Sequence, residues 1–138
     1  MYRVLIVLLG LIPTLAGAQC PTTFEAFLAK FEAEESFRLA HVRFPLTYSA
    51  PDRDNKLYPD APPKIRKIEK SAATTMKMPL YPSVEDQRSI PLTRKIANQG
   101  PVAIVSFDKS ESDAYSYRLH FSRTKTCWRL TKVQDVSL

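Results

Sequence analysis

The chain has 138 residues, with 20 Lys and Arg against 14 Asp and Glu and a net charge of +6. That length suits one domain with a single core rather than a multidomain assembly. The cations are scattered, with only residues 64–70 (KIRKIEK) clustered, which argues against nucleic-acid binding and leaves a modestly basic surface suited to anionic partners.

Residues 1–20 read MYRVLIVLLGLIPTLAGAQC, in which Arg3 precedes an apolar run from Val4 to Leu15 and the small residues Ala16, Gly17 and Ala18. This is the layout of a secretory signal peptide. The run is shorter than the about 20 residues a membrane-spanning helix needs, and Pro13 interrupts it. The expectation is a leader at 1–18, a single α+β domain at 19–138 and a periplasmic or secreted product without a transmembrane segment. Losing Arg3 with the leader lowers the net charge from +6 to +5. Lipid attachment at Cys20 competes with this reading, but Gln19 stands where a lipoprotein site wants a small residue.

Cys20 and Cys127 are the only cysteines, and an oxidising compartment favours a bridge between them. Neither lies in a C-x-x-C pair, so redox catalysis and zinc binding find no motif.

Thr22 followed by Glu25 has the form of a capping box, and Phe24, Phe27, Leu28 and Phe31 then recur at helical spacing. A shorter helix follows over 35–40. Glu32, Glu34 and Glu35 read as a solvated outer face. From His41 the period becomes two, with Val42, Phe44, Leu46 and Tyr48 alternating against polar neighbours. Pro45 marks this strand as an edge or a bulge. Residues 49–63 are dense in Pro, Asp and Asn and form a long loop, a length that more often serves function than connection. Residues 64–78 suit weak β structure with a short helix. Ser83 and Asp86 open another short helix, ended by Pro91, and a second short element spans 92–97 before Asn98-Gln99-Gly100-Pro101. Residues 102–107, 115–122 and 127–133 then alternate or run apolar as three strands with short turns, an antiparallel meander.

An aromatic N-terminal helix, FEAFLAKFEAEESFRLAHVRFPL, together with a C-terminal Y-x-L-x-F-S-R and W-R-L-x-K-V-x-D, resembles the nuclear-transport-factor-two-like superfamily, and within it a family of short exported bacterial proteins of unknown function. The resemblance covers both ends of the chain and leaves residues 50–100 unassigned. It implies a curved antiparallel sheet wrapped by N-terminal helices into a cone, whose open end often forms a pocket. Some members of that superfamily are enzymes and many only bind, so no catalytic residue is carried over.

His41 and His120, the two histidines, each neighbour an arginine on the polar side of a strand, Arg43 and Arg118. If their strands faced one another, the four would form a cationic cluster for a carboxylate or phosphate; the alternative is solvated outward positions. Tyr58 and Tyr81, each followed by proline, are contact candidates held outside the strand pattern. A Ser-His-Asp set assembled from Ser106 or Ser110, His120 and Asp108 or Asp113 lacks any local signature. Asp52, Asp54 and Asp60 lack the glycine and terminal glutamate of a calcium loop. No metal or cofactor motif is present. Tyr115, Tyr117, Phe121 and Trp128 read as core facing the helix.

These observations favour an exported, non-catalytic binding or protein-interaction domain for an unknown small ligand or envelope protein. A pocket enzyme with His120 or His41 as base, and an immunity or inhibitor protein of the cell envelope, are the alternatives.

Overall fold

The computed structural model describes residues 19–52, 61–75, 81–82, 84–112 and 114–137. The expected leader and Tyr58 lie outside them.

Helix α1 (Phe24–Ala33) and helix α2 (Glu35–Ala40) come first. Thr23, one residue later than expected, caps α1: its hydroxyl accepts the Ala26 N–H at 3.2 Å. With Thr23 as cap, Phe24 is the first helical residue, and Glu25 falls one position short of where a capping-box carboxylate reaches back. Arg38 on α2 donates to the Phe31 carbonyl at 3.0 Å and the Glu32 carbonyl at 2.7 Å. These bonds satisfy two carbonyls left open at the end of α1 and fix the angle between the helices.

Strands β1 (Val42–Ala50), β2 (Lys64–Ile68), β3 (Leu92–Gln99), β4 (Val102–Lys109), β5 (Ser116–Arg123) and β6 (Trp128–Asp135) form one open sheet in the order β2-β1-β6-β5-β4-β3. Helix α3 (Lys70–Thr75) follows β2, and helix α4 (Val84–Ser89) precedes β3. The expected meander is present and extends to β3, which pairs with β4 from Leu92 and Lys109 to Gln99 and Val102. Gly100 turns this hairpin at φ +67°, a conformation that glycine adopts without steric cost.

Strand β1 is not an edge. It lies between β2 and β6 and runs parallel to β6, Tyr48 opposite Val133. Pro45, joined to Phe44 by a cis peptide bond, sits inside the irregular stretch between Val42 and Thr47 on the β6 side, where ladder bonds are interrupted. A residue without an N–H costs least there.

The helices close one face of the sheet. Phe24, Phe27, Leu28, Phe31 and Phe37 are buried, and three of these rings meet Phe121 of β5: Phe24 at 5.4 Å, Phe27 at 6.0 Å and Phe31 at 5.3 Å between centroids. Trp128 adds an edge contact to Phe24 at 4.8 Å. Residues of paired strands that stand opposite one another share a face, so Val42, Leu46, Val105, Phe107, Leu119 and Leu130 line this inner face with Phe121. Cys20 and Cys127 form a disulfide with Cα atoms 5.4 Å apart, joining the segment before α1 to the start of β6.

Two sequence expectations are corrected in this core. Tyr81, expected at a contact surface, is fully buried, its ring edge-on to Phe31 at 5.5 Å and Phe107 at 5.2 Å. Glu32, read as solvated, accepts hydrogen bonds from the Tyr81 hydroxyl and the Arg94 guanidinium, and its side chain is 11% exposed. A phenol buried among apolar rings must find a partner for its O–H, and Glu32 is the group within reach.

Candidate functional site

At the β1–β2 end of the sheet, a groove of about 480 Å³ is lined by Tyr48, Ala50, Pro51, Lys64, Ile65 and Arg66. Its walls are the last residues of β1 and the first of β2, paired Tyr48 with Arg66, Ser49 with Ile65 and Ala50 with Lys64. The long loop thus begins and ends at the groove, because β1 and β2 are the strands it joins. The Arg66 guanidinium lies 4.5 Å over the Tyr48 ring, a cation–π contact that holds the planar fork of donors at the groove wall. Lys64 pairs with Asp52 at 2.7 Å.

Behind the groove lies a buried polar relay that strand periodicity does not disclose. The Tyr48 hydroxyl donates to Asp135 Oδ2 at 3.4 Å, and the Ser137 N–H donates to Asp135 Oδ1 at 2.9 Å. The Tyr117 hydroxyl adjoins that of Tyr48. Burial first, then the charge of Asp135, raises the pKa of both tyrosines above the ordinary phenol value. Their hydroxyls therefore remain protonated donors across the physiological range. Tyr115 packs against Tyr117 at 4.7 Å between centroids. The sequence signal for this cluster was one inward carboxylate, Asp135, at the end of an otherwise apolar strand face.

The four residues expected to converge fall into separate environments. His41 ends α2; its ring stacks on Phe37 at 3.9 Å, meets Phe27 edge-on at 5.6 Å, and its Nδ1 lies 2.7 Å from the Phe37 carbonyl. Arg43 is exposed on the outer face of β1. Arg118 and His120 stand on the outer face of β5, with β6 between them and β1. Arg118 pairs with Asp108 at 2.8 Å, and His120 Nε2 lies 3.3 Å from Gln134 Oε1. Burial, opposed by the Gln134 hydrogen bond and aided by the charge of Lys132, lowers the His120 pKa below the ordinary imidazole value. Among the described residues, no three His, Cys, Asp or Glu side chains gather as a metal would require, and no helix is long and apolar enough to cross a membrane.

A curved six-stranded sheet with N-terminal helices across its inner face is the nuclear-transport-factor-two-like fold. No protein-family model matches the chain, and no curated protein does. Among solved structures, an NTF2-like protein from Bacteroides fragilis is similar over 83% of this chain and 47% of its own, with 17% identity and a TM-score of 0.60. This chain therefore spans about half the length of that protein. An NTF2-like protein of unknown function from Shewanella baltica matches 83% of this chain and 96% of its own at 13% identity and a TM-score of 0.44. A third, from Silicibacter pomeroyi and also of unknown function, matches 80% and 86% at 11% identity and 0.40.

Proposed function

We propose that this chain is a small exported, non-catalytic binding domain that takes a ligand with an anionic group into the groove between β1 and β2. The observation that carries the proposal is Arg66: an exposed guanidinium laid over Tyr48, beside the apolar surface of Ala50, Pro51 and Ile65. A carboxylate or phosphate would meet the fork of Arg66 bidentately while its apolar body lay against that surface. Export draws on the leader-like segment at 1–18 and on the Cys20–Cys127 bridge, which needs an oxidising compartment to persist.

Several features favour binding over catalysis. Both oxygens of Asp135 already accept hydrogen bonds, the adjoining tyrosines are held protonated, and His120 stands on the opposite face from the groove with Gln134 as its partner. A base must lie within hydrogen-bond reach of its substrate, so a histidine mechanism draws no support from this arrangement.

Thermal-shift titration with small aryl and alkyl carboxylates and phosphates tests the proposal. At least one probe is expected to raise the melting temperature of the purified protein, and Arg66→Gln is expected to remove that response. No response to any probe, or an equal response in the variant, overturns it.

A further inference from the structure

The outer face of the sheet is unlike the rest of the molecule. Strand pairing places Lys67, Thr47, Lys132 and His120 in one row across β2, β1, β6 and β5. The adjacent row runs Ile65, Ser49, Gln134, Arg118, Ser106 and Lys95 across all six strands. Arg43 and Arg129 add two more exposed cations on the outward sides of β1 and β6. Against these, Asp108 is the one carboxylate on the outer face among the described residues, and it is bound to Arg118 and Ser116. The five cations Arg43, Lys67, Lys95, Arg129 and Lys132 thus outnumber the acids on this face.

The chemistry between the cations identifies the partner class. Thr47, Gln134 and Ser106 stand among the cations of the two rows, while Ser49 is buried, with strands about 4.8 Å apart and same-face residues about 7 Å apart along each strand. No aromatic side chain faces outward on these strands to stack a nucleic-acid base, as single-stranded nucleic acid would require. Of the outward apolar residues, Val102 and Ile104 are neighbours on β4 with Ala97 of β3 opposite Ile104, while Ile65 lies on the far edge strand, so the apolar surface on this face is confined to one small patch at the β3–β4 end. A second copy of this face would bring like charges together. A sheet wrapped around its own helices is convex outward, and a flexible chain follows such a surface where a flat bilayer touches it along a line.

We infer that the outer face of the sheet binds an acidic polysaccharide strand, its carboxylate or sulfate groups meeting Lys67, Lys132, Arg43 and Arg129 and its hydroxyls meeting the interleaved Ser, Thr and Gln side chains. The cations of this site lie on the opposite face of the sheet from Tyr48 and Arg66, and Ile65 at the sheet edge is the one groove residue in these rows.

The test is binding of the purified protein to heparin and to a polyuronate such as alginate, with phosphatidylglycerol vesicles and duplex DNA as comparison anions, over a range of salt. Both polysaccharides are expected to bind and to weaken steeply with salt as counterions return to the polyanion. Lys67→Ser with Lys132→Ser, and separately Arg43→Ser with Arg129→Ser, should each weaken binding about tenfold or more, since each pair removes two released counterions. Equal charge removal on α3 and α4, Lys70→Ser with Arg88→Ser, should leave most of the affinity, and Lys67→Arg with Lys132→Arg should retain it even if the serine variants fold poorly. Failure to bind either polysaccharide overturns the inference. So do equal losses in the helix variant, and vesicles or DNA binding as tightly as the polysaccharides.

Discussion

The carboxylate of Glu32 on α1 accepts a hydrogen bond from the buried hydroxyl of Tyr81, 49 residues further along the chain. Arg94 of β3 donates to the same carboxylate oxygen, Oε1. One acidic side chain thus ties the first helix to the segment before α4 and to the edge of the sheet. Tyr81→Phe removes the hydroxyl and leaves Glu32 with Arg94, and should cost about 1 to 2 kcal/mol in urea denaturation. Tyr81→Ala also removes the ring from Phe31 and Phe107 and should cost about 3 to 5 kcal/mol. Equal effects of the two variants would show that the hydroxyl, not the ring, dominates.

Phe121 receives three phenylalanines from α1 and so joins the helices to the sheet. Phe121→Ala should destabilise by about 3 to 5 kcal/mol, and Phe121→Leu by clearly less, because much of the volume is retained. The urea midpoints of the two variants check the order.

The disulfide closes a separation of 107 residues. Constraint of the unfolded chain by so long a loop stabilises by about 4 to 5 kcal/mol on chain-entropy reasoning. Cys20→Ser with Cys127→Ser should lower the denaturation midpoint accordingly, and thiol titration of the denatured, unreduced protein should find no free cysteine.

His120 contributes a pH dependence of defined sign. Burial, with the Gln134 bond opposing it and Lys132 reinforcing it, holds its pKa below the ordinary 6.5. The unfolded chain then binds more protons than the folded one just below that value, so stability is complete above it and declines as pH falls through it towards the folded pKa. The denaturation midpoint should drop between about pH 7.5 and pH 5, and His120→Gln should flatten that part of the curve. Titration of the imidazole by NMR gives the folded value directly.

Asp108 acts in the acid range. Burial alone would raise its pKa, but the hydrogen bonds from Ser116 and Arg118 and the charges of Arg118 and Lys95 outweigh that and hold it below the ordinary carboxylate value of 3.8. Its contribution is present above 3.8 and is lost as pH falls through the folded value. Asp108→Asn should be less stable than the parent at neutral pH, and the two should converge in acid. The side chain is 35% exposed, so solvent screening keeps the difference small and high salt should narrow it.

The helical stripe Phe24, Phe27, Leu28 and Phe31, the change to a period of two at Val42, the strands of the C-terminal meander and the Cys20–Cys127 bridge were all legible in the sequence, because each rests on local spacing or on residue chemistry. The parallel pairing of β1 with β6 was not, since Tyr48 and Val133 are joined by no turn and no periodicity links them. The same separation hid the relay from Tyr48 to Asp135, 87 residues apart. Tyr81 illustrates the opposite error. Its proline neighbour suggested an exposed turn, whereas the space between Phe31 and Phe107 drew the ring inward at the cost of one hydrogen bond, which Glu32 supplies.

By itself, the sequence determined which residues have apolar periodicity, where helices and strands begin, and that an α+β fold would result. Only the tertiary structure decided what stands beside what: that Arg66 lies over Tyr48 at a groove, that His41 and His120 occupy separate environments, and that the cations of four strands share one face. The physical reason is that periodicity is a property of neighbours along the chain, while a binding surface is assembled by strand order and register between segments far apart in it.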